Sequence, residues 1–502
     1  MALSPISTTQ GLRPRGHHYN VNTIFSLVTL VTVASLPIRS AASAFDVMCA
    51  TFLQDGDMST PSYSSLRSWI LRLGHHKLTR PKDKADDWVW IIDHSVQIGT
   101  QKCLVILGVR LSRLQSAGNY TLSHEQVEPL RIVPMSKSNG VIIEAELEET
   151  VALTGAPRAV VCDGGSDLQA GARAFCQTHT ETAVVYDIHH KTAVELKRIL
   201  ENDAAWGTFA SAAAAFKLSV QQTPLAAMAP PAQRSKSRYM NLDPLLAWCR
   251  DRLAPARENP AATAATLGVD QQVLDEKLAW VDAYQEHIQR WDELSMKVDM
   301  CTALIRCEGY GAGIAEKQIQ LWGEAMTDDA AHLQERLLDF IRAQSAQATP
   351  GEHLLGCSDV IESVFGRYKN FEGEQSRSGF TGSVLAIAAM VSSTTRSVVQ
   401  RALEATKVVD VSKWASTHIG ATIQGTRRIL SRDARLLQKS DPLTPSLANV
   451  DHDYVQASQH VVPVKAVVQK EPNNSPRRGD DVMKENLSRT GSVKRIALQC
   501  AA

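Results

Sequence analysis

Three acidic residues occupy positions from which they could bind a metal ion. Asp93 directly follows the apolar run WVWII, Asp163 follows RAVVC, and Glu362 lies in the helical pattern SDVIESVFGRYK. Each also has an ordinary interpretation, because Asp93 and Asp163 suit turns and Glu362 suits a solvated helix face. Strand ends gather at one edge of an open α/β sheet, where ligands bind, and a helix packed across that edge could add a third carboxylate. Together the three acids indicate a cation site.

Carboxylate oxygens are the ligands that Mg²⁺ and Mn²⁺ prefer, and such ions also bind substrate phosphate. Two ions about 3.5–4 Å apart would activate a nucleophile and stabilise the leaving oxygen of an in-line phosphoryl displacement. Asp167 competes with Asp163 for the second position. We favour Asp163, because Asp167 lies at the start of a helical pattern, where the helix dipole and free N–H groups explain a carboxylate.

The apolar periodicity around these acids predicts an α/β fold. Strand-like runs and helical runs follow one another in the order three strands, helix, strand, helix, strand, helix. The strands are WVWII, CLVILGV, LRIVPM, RAVVC and TAVVYD, so that the first is expected to end at Asp93 and the last at Asp187. Alternating strands and helices imply parallel pairing in the second half. We therefore expect a mixed sheet flanked by helices.

The N-terminal part of the chain has helical patterns. The stretch STPSYSSLRSWILRLG predicts a helix capped by Ser59 or Thr60 and ending at Gly74. With the helix before it, this suits a helix-turn-helix, although a plain helical hairpin has the same pattern. The apolar run in VNTIFSLVTLVTVASLPIRSAASA could belong to a signal peptide, but we favour a buried helix. It is too short and too rich in Ser and Thr for a transmembrane helix.

Charge and cysteine content narrow the class of protein. Lys plus Arg and Asp plus Glu each number 53, yet residues 363–440 hold 12 basic and 5 acidic residues and residues 191–357 hold 17 and 22. Basic segments around a more acidic middle are compatible with a polyanionic partner. The nine cysteines form no CxxC pair, which disfavours a zinc-ribbon site and favours a reducing compartment.

The blocks WVWIIDHSVQIGTQKCLVILGVRL, VVCDGGSDLQAGARAF, VVYDIHHKTAVELK and SDVIESVFGRYK, in this order, resemble the DDE transposases. The similarity is greatest to bacterial insertion-sequence enzymes, in which a helical insertion separates the sheet from the last acid. The resemblance covers roughly residues 60–435. It implies a ribonuclease-H-like catalytic domain, catalytic and metal-binding roles for Asp93, Asp163 and Glu362, and two Mg²⁺ or Mn²⁺ ions.

The resemblance also implies supporting residues near the DNA. Transposases with helical insertions often carry an Asp or Cys, two residues and then a His after the second acid, which Asp187 and His190 match. The alternative is that Asp187 only caps the next helix. Lys369 lies seven residues after Glu362, near the same helix face, where it could hold a phosphate. His94 and His189 could hydrogen-bond carboxylates.

The expected organisation has six parts. They are a flexible N-terminus (1–21), a helix-turn-helix-like DNA-binding region (22–80), the first part of the catalytic domain (86–200), an all-helical insertion (201–350), the last part of the catalytic domain with C-terminal helices (351–437), and a disordered tail (438–502).

The function that the resemblance implies is a DNA transposase that cuts the ends of its element and joins them to target DNA. Its partners would be double-stranded DNA and a second copy of the chain, in the cytoplasm of a bacterium, at the nucleoid and without a membrane. A ribonuclease-H-like nuclease and an inactive, transposase-derived DNA-binding protein are the alternatives. The nuclease would need no recognition of element ends, so specific binding of one terminal repeat separates it from a transposase.

Overall fold

The computed structural model describes residues 13–52, 60–98, 101–231, 242–373, 381–420 and 426–432. The chain divides into two units between Thr422 and Ile423. Of the second unit the structure describes residues 426–432, which are helical. Residues 1–12 and the predicted disordered tail 438–502 lie outside the described residues.

Five strands form the central sheet in the spatial order β3-β2-β1-β4-β5. Pairing is antiparallel between β1 and β2 and between β2 and β3, and parallel from β1 to β4 and from β4 to β5. The strands are β1 (Trp88–Ile98), β2 (Gln101–Arg110), β3 (Glu128–Met135), β4 (Ala159–Cys162) and β5 (Ala183–Tyr186). This mixed, ribonuclease-H-like sheet flanked by helices confirms the predicted fold class.

Four helices connect or follow these strands. They are α4 (Leu111–Ala117), α5 (Gly140–Thr154), α6 (Ser166–Thr178) and α7 (Ile188–Glu201). Helix α5 ends at Thr154 and is followed by Gly155, whose φ of 88° is one that glycine adopts readily. Asp187 is the N-cap of α7, and its side chain accepts the N–H of His190.

The first strand is longer than predicted. The sequence suggested that it ends at Asp93, but β1 runs to Ile98. Asp93 pairs with Val105 of β2, whereas the parallel pairing with β4 ends one residue earlier, at Ile92 and Cys162. Asp93 therefore does not mark the end of β1, because the backbone of β1 continues to pair with β2 beyond it. Asp93 instead lies one residue past the point where the pairing with β4 ends.

A long helical segment follows the sheet. Its helices are α8 (Ala204–Val220), α9 (Leu242–Trp248), α10 (Ala254–Glu258), α11 (Pro260–Leu267), α12 (Gln271–Leu278), α13 (Gln285–Glu308), α14 (Ile314–Trp322) and α15 (Asp328–Ser345). Between α13 and α14 a two-residue strand, β6 (Tyr310–Gly311), pairs with β7 (His353–Leu354). Aromatic rings fill the core of this segment; the rings of Trp206 and Trp291 meet edge to face with centroids 5.0 Å apart.

The chain then returns to the sheet through four further helices. These are α16 (Asp359–Glu372), α17 (Leu385–Ala389), α18 (Arg396–Ala405) and α19 (Val408–His418). Helix α16 packs against β1 and α17. Val89 and Ile91 of β1 face the core that includes these helices, while Trp90 and Ile92 face a second core formed with α5 and α6. The two faces of the sheet are thus covered by different sets of helices.

The N-terminal helices pack onto the C-terminal ones. They are α1 (Val21–Thr32), α2 (Ile38–Phe52) and α3 (Tyr63–Thr79). Helix α3 is capped by Ser62 and continues past Gly74, so the predicted cap and end point were wrong. A Cβ at Gly74 would lie 1.9 Å from the carbonyl oxygen of Leu385, so the glycine permits close approach of α3 to α17 rather than ending the helix.

Helix α1 is buried, as preferred from the sequence. Ile24, Leu27 and Val28 have at most 1% of their surface exposed. Within the described residues, no helix combines the length and apolarity needed to cross a bilayer.

Lys77 fixes the turn that follows α17. Its side chain is fully buried, and Nζ donates to the carbonyl oxygens of Val391 (2.7 Å) and Ser392 (2.8 Å) and to the hydroxyl of Thr394 (2.7 Å). Buried carbonyl groups cost free energy when they lose a donor. Lys77 therefore couples α3 to the segment between α17 and α18.

We expect Lys77→Met to destabilise the protein by about 3 kcal/mol or more, because methionine fills the space but leaves several buried oxygens without a donor. Urea unfolding at constant pH measures this difference. The exposed Lys413 provides the control, since Lys413→Met should change the free energy of unfolding by less than about 0.5 kcal/mol. Equal stability of Lys77→Met and the parent protein would contradict the role given to Lys77.

The stability contribution of Lys77 should also depend on pH. Burial is the largest cause that lowers the pKa of Lys77, to about 7, whereas a lysine in an unfolded chain has a pKa of about 10.4. Between these values the unfolded chain binds a proton that the folded protein does not, so the free energy of unfolding rises with pH from about 7 to about 10. Lys77→Met should lack this part of the pH dependence.

Candidate active site

Asp93 and Asp163 are the next residues after the last parallel pair of β1 and β4. That pair is Ile92 with Cys162, and neighbouring strands lie about 4.8 Å apart. Asp93 continues the alternation of Val89 and Ile91, which face the core containing α7 and α16. Both carboxylates belong to residues that are partly exposed. The strands thus place two acids side by side at one edge of the sheet.

Glu362 lies in the first turn of α16 and is partly exposed. The packing of α16 on β1 places this turn on the same face of the sheet as Asp93. The helix is anchored there by buried residues that include Val360, Ile361 and Val364. Asp93, Asp163 and Glu362 therefore come from three separate segments, and the helix that carries Glu362 packs on the strand that carries Asp93.

Asp187 fixes the start of α16 relative to α7. Its side chain is 1% exposed; Oδ1 accepts the N–H of His190, and Oδ2 accepts the N–H and the hydroxyl of Ser358, the latter at 2.7 Å. Ser358 immediately precedes α16. Asp187 is thus a helix cap, as the alternative interpretation held, and it also joins the two helices that border the three acids.

His190 and Lys369 have different surroundings. His190 Nε2 lies 3.6 Å from Asp163 Oδ2, beside the second acid. Lys369 is exposed, two turns after Glu362 on α16. Arg367, by contrast, donates from Nη1 to the carbonyl oxygen of Thr32 at the end of α1. Arg367 therefore has a structural contact, whereas Lys369 is open to solvent.

The opposite face of the sheet holds a separate polar network. His94 Nε2 lies 3.1 Å from Asp167 Oδ2 and 3.1 Å from the hydroxyl of Ser138, and Lys102 Nζ lies 3.1 Å from the same Asp167 oxygen. Burial alone would raise the pKa of Asp167, but hydrogen bonds from Ser138 and Lys102 and the charges of His94 and Lys102 hold this pKa well below the usual range. His94 and Asp167 thus belong with α6, apart from Asp163.

A third group of polar residues lies at the starts of α7 and α16. His189, Cys357 and Asp359 have ligand atoms that all lie within 4.8 Å of one another, a spacing from which a metal ion could be bound. Among the described residues, Asp93, Asp163 and Glu362 are not part of a group this compact. No sequence pattern marks Cys357 or Asp359 as a site residue. The two form a Cys-x-Asp sequence just before Glu362, but their partner His189 is 168 positions earlier, and only the fold brings them together.

Comparisons with known proteins find similarity to solved structures but not to known sequences. No family model and no curated protein sequence matches the chain significantly. Among solved structures, the chain is similar to the Drosophila P element transposase strand transfer complex, with 11% sequence identity and a TM-score of 0.37 over 77% of this chain and 93% of that one. At this TM-score the similarity carries no argument about function.

Proposed function

We propose that the chain is a DNA transposase of the DDE type, which cleaves the ends of a mobile element and joins them to target DNA. One observation carries the proposal. Asp93 on β1 and Asp163 just after β4 are the next residues beyond the last parallel pair of these strands, and α16, the helix of Glu362, packs on β1. Three acids from separate segments on one face are what metal-dependent phosphoryl transfer requires.

The three acids fit divalent hard cations. All are oxygen donors and all are partly exposed; Asp93 is held by its pairing with β2, and Asp163 directly follows the last residue of β4. Two Mg²⁺ or Mn²⁺ ions held there would activate the attacking hydroxyl and stabilise the leaving oxygen of the phosphodiester. Glu362 sits on a helix whose start is fixed by Asp187, so its approach to the other two acids is set by the fold.

Neighbouring residues supply groups for the DNA strand. His190 Nε2, 3.6 Å from Asp163, can orient that carboxylate or contact the scissile phosphate. Lys369 projects from α16 beyond Glu362 and can bind a phosphate one or two nucleotides away. Further exposed basic side chains lie on α18 and α19, namely Arg396, Arg401, Lys407 and Lys413. We assign these to phosphate contacts, which give affinity without sequence preference.

Part of the surface of the N-terminal helices is buried in the fold, so those residues cannot contact DNA. Helix α3 buries Leu66, Trp69 and Ile70 against the C-terminal helices. Recognition of element ends by residues 22–80 then has to come from their exposed side chains, such as Arg39 of α2. This binding should fall steeply with salt, because neutralised phosphates release counterions.

The proposal is tested with duplex DNA that carries the inverted repeats flanking the chain's coding sequence, mixed with a labelled target duplex. We expect cleavage at the repeat boundary in Mg²⁺, no cleavage in EDTA, and covalent joining of the cut 3′ end to the target. A duplex with the repeat scrambled is the control and should not be cut at a defined position.

Other outcomes would identify the alternatives. Cleavage of both duplexes without joining would replace the transposase by a nuclease of the same fold. Specific binding of the repeat without cleavage in either Mg²⁺ or Mn²⁺ would indicate an inactive, transposase-derived DNA-binding protein. Either result would overturn the function proposed here.

A further inference from the structure

His189, Cys357 and Asp359 form a mixed nitrogen, sulfur and oxygen cluster that includes none of the three predicted catalytic acids. His189 is in the first turn of α7, and Asp359 is the first residue of α16. Cys357 is buried, with 5% of its surface exposed. One nitrogen, one thiolate sulfur and one carboxylate oxygen are the ligand types that bind Zn²⁺.

The contact between His189 and Asp359 is unlike an ordinary hydrogen bond. Nε2 and Oδ2 lie 3.0 Å apart, yet Nε2 is buried and not aligned with any hydrogen-bond partner. Two ligands of one tetrahedral ion, each bonded at about 2.0–2.2 Å, lie about 3.3–3.5 Å from each other. A displacement of a few tenths of an ångström would therefore let both atoms bind the same ion.

The surroundings of Cys357 favour a thiolate once a cation is present. Its Sγ accepts the backbone N–H of Asp359 at 3.5 Å. A bound dication would balance the charges of the Cys357 thiolate and the Asp359 carboxylate.

Arg306 is the competing cation. Its Nε lies 3.5 Å from Asp359 Oδ2, and it is partly exposed at the end of α13. His189 Nε2 approaches the same oxygen of Asp359, at 3.0 Å. An ion bound to Oδ2 would therefore have to displace Arg306 from this oxygen.

We propose that His189, Cys357 and Asp359 bind one Zn²⁺ ion, with a water molecule in the fourth position. The ion would link the first turn of α7 to the start of α16, the helix whose first turn also carries Glu362. The thiolate and imidazole select Zn²⁺ over Mg²⁺, since Mg²⁺ prefers oxygen ligands. This site goes beyond the proposed function and does not depend on it.

The test uses the full-length protein, stripped of metal with a chelator and titrated with Co²⁺, whose bond to a thiolate absorbs in the near ultraviolet. We expect one equivalent of Co²⁺ to give this band, Zn²⁺ to remove it, and Zn²⁺ to raise the unfolding temperature. Cys357→Ser should lose the band and the temperature rise. Cys307→Ser is the control, because Cys307 is an exposed cysteine outside the cluster and should keep both.

Two further variants keep the outcome decisive if Cys357→Ser folds poorly. His189→Gln and Asp359→Asn retain the thiol and should weaken Co²⁺ binding more than about 100-fold, beyond the loss caused by removing a supporting hydrogen bond. Asp163→Asn should bind Co²⁺ with the same band, which separates this site from the acids proposed for catalysis. A parent protein without a thiolate band at stoichiometric Co²⁺, or a band that survives in Cys357→Ser, would overturn the proposal.

Discussion

Asp93→Asn, Asp163→Asn and Glu362→Gln should each reduce strand cleavage in Mg²⁺ by more than about 1,000-fold, which corresponds to about 4 kcal/mol of transition-state stabilisation. Each change keeps the shape of the side chain and removes the charge that a divalent cation needs. Folding should survive, because none of the three is fully buried. The stability of the metal-free protein should stay the same or rise slightly, since one of several repelling charges is lost.

Cleavage and binding are measured in parallel on DNA that carries the element's end. All three variants should bind this DNA within a few-fold of the parent. Two controls are available: Glu335→Gln changes an exposed glutamate on α15 and should leave cleavage unaltered. Asp167→Asn changes the acid on the opposite face and should be far milder than Asp163→Asn. A Glu362→Gln variant that cuts as fast as the parent would remove the third acid from the mechanism.

Asp187→Ala should lower the free energy of unfolding by about 2–4 kcal/mol. Loss of the helix cap costs about 1 kcal/mol, and the buried N–H of Ser358, left without an acceptor, costs about 1–3 kcal/mol more. Because Asp187 joins α7 to the start of α16, cleavage should fall as well, with the loss in the rate rather than in DNA binding. Urea unfolding and the cleavage assay measure the two effects.

Asp270→Ala is the matched control for Asp187→Ala, and Ser358→Ala measures the contribution of the bond to Ser358. Asp270 stands at the N-cap of α12 without a side-chain cap bond and is exposed, so Asp270→Ala should be nearly neutral. Ser358→Ala removes one donor to Asp187 and should cost about 1 kcal/mol. Asp187→Ala with parental stability would show that the observed contacts do not hold the two helices together.

Local signals were enough to predict the sheet and its flanking helices. Alternation and apolar runs identify β1 to β5, and Gly155 marks the end of α5, because these features depend on neighbours in sequence. The predicted β1 is too short because its pairing with β2 decides where the strand ends. The sequence around Asp93 does not reveal that this pairing continues. Likewise Gly74 was read as a helix end, although its small size serves a contact with Leu385, more than 300 residues away.

The surroundings of the candidate site could be predicted only in part. The placement of Asp93 and Asp163 after apolar runs followed from sequence, as did the rough position of Glu362 in a helix. The cluster of His189, Cys357 and Asp359 did not, because it depends on how α7 and α16 meet in three dimensions. The cap formed by Asp187 was one of two readings, and its bond to Ser358 was visible only in the fold.

The central claim is that Asp163 holds a catalytic divalent cation, and the most direct test is cleavage by Asp163→Cys in Mg²⁺ and in Mn²⁺. A thiolate is a poor ligand for Mg²⁺ and a better one for the softer Mn²⁺. The account predicts that Asp163→Cys does not cut element-end DNA in Mg²⁺ and regains measurable cutting in Mn²⁺, while Asp163→Ala cuts in neither. Cleavage by Asp163→Cys in Mg²⁺ at the parental rate would contradict it.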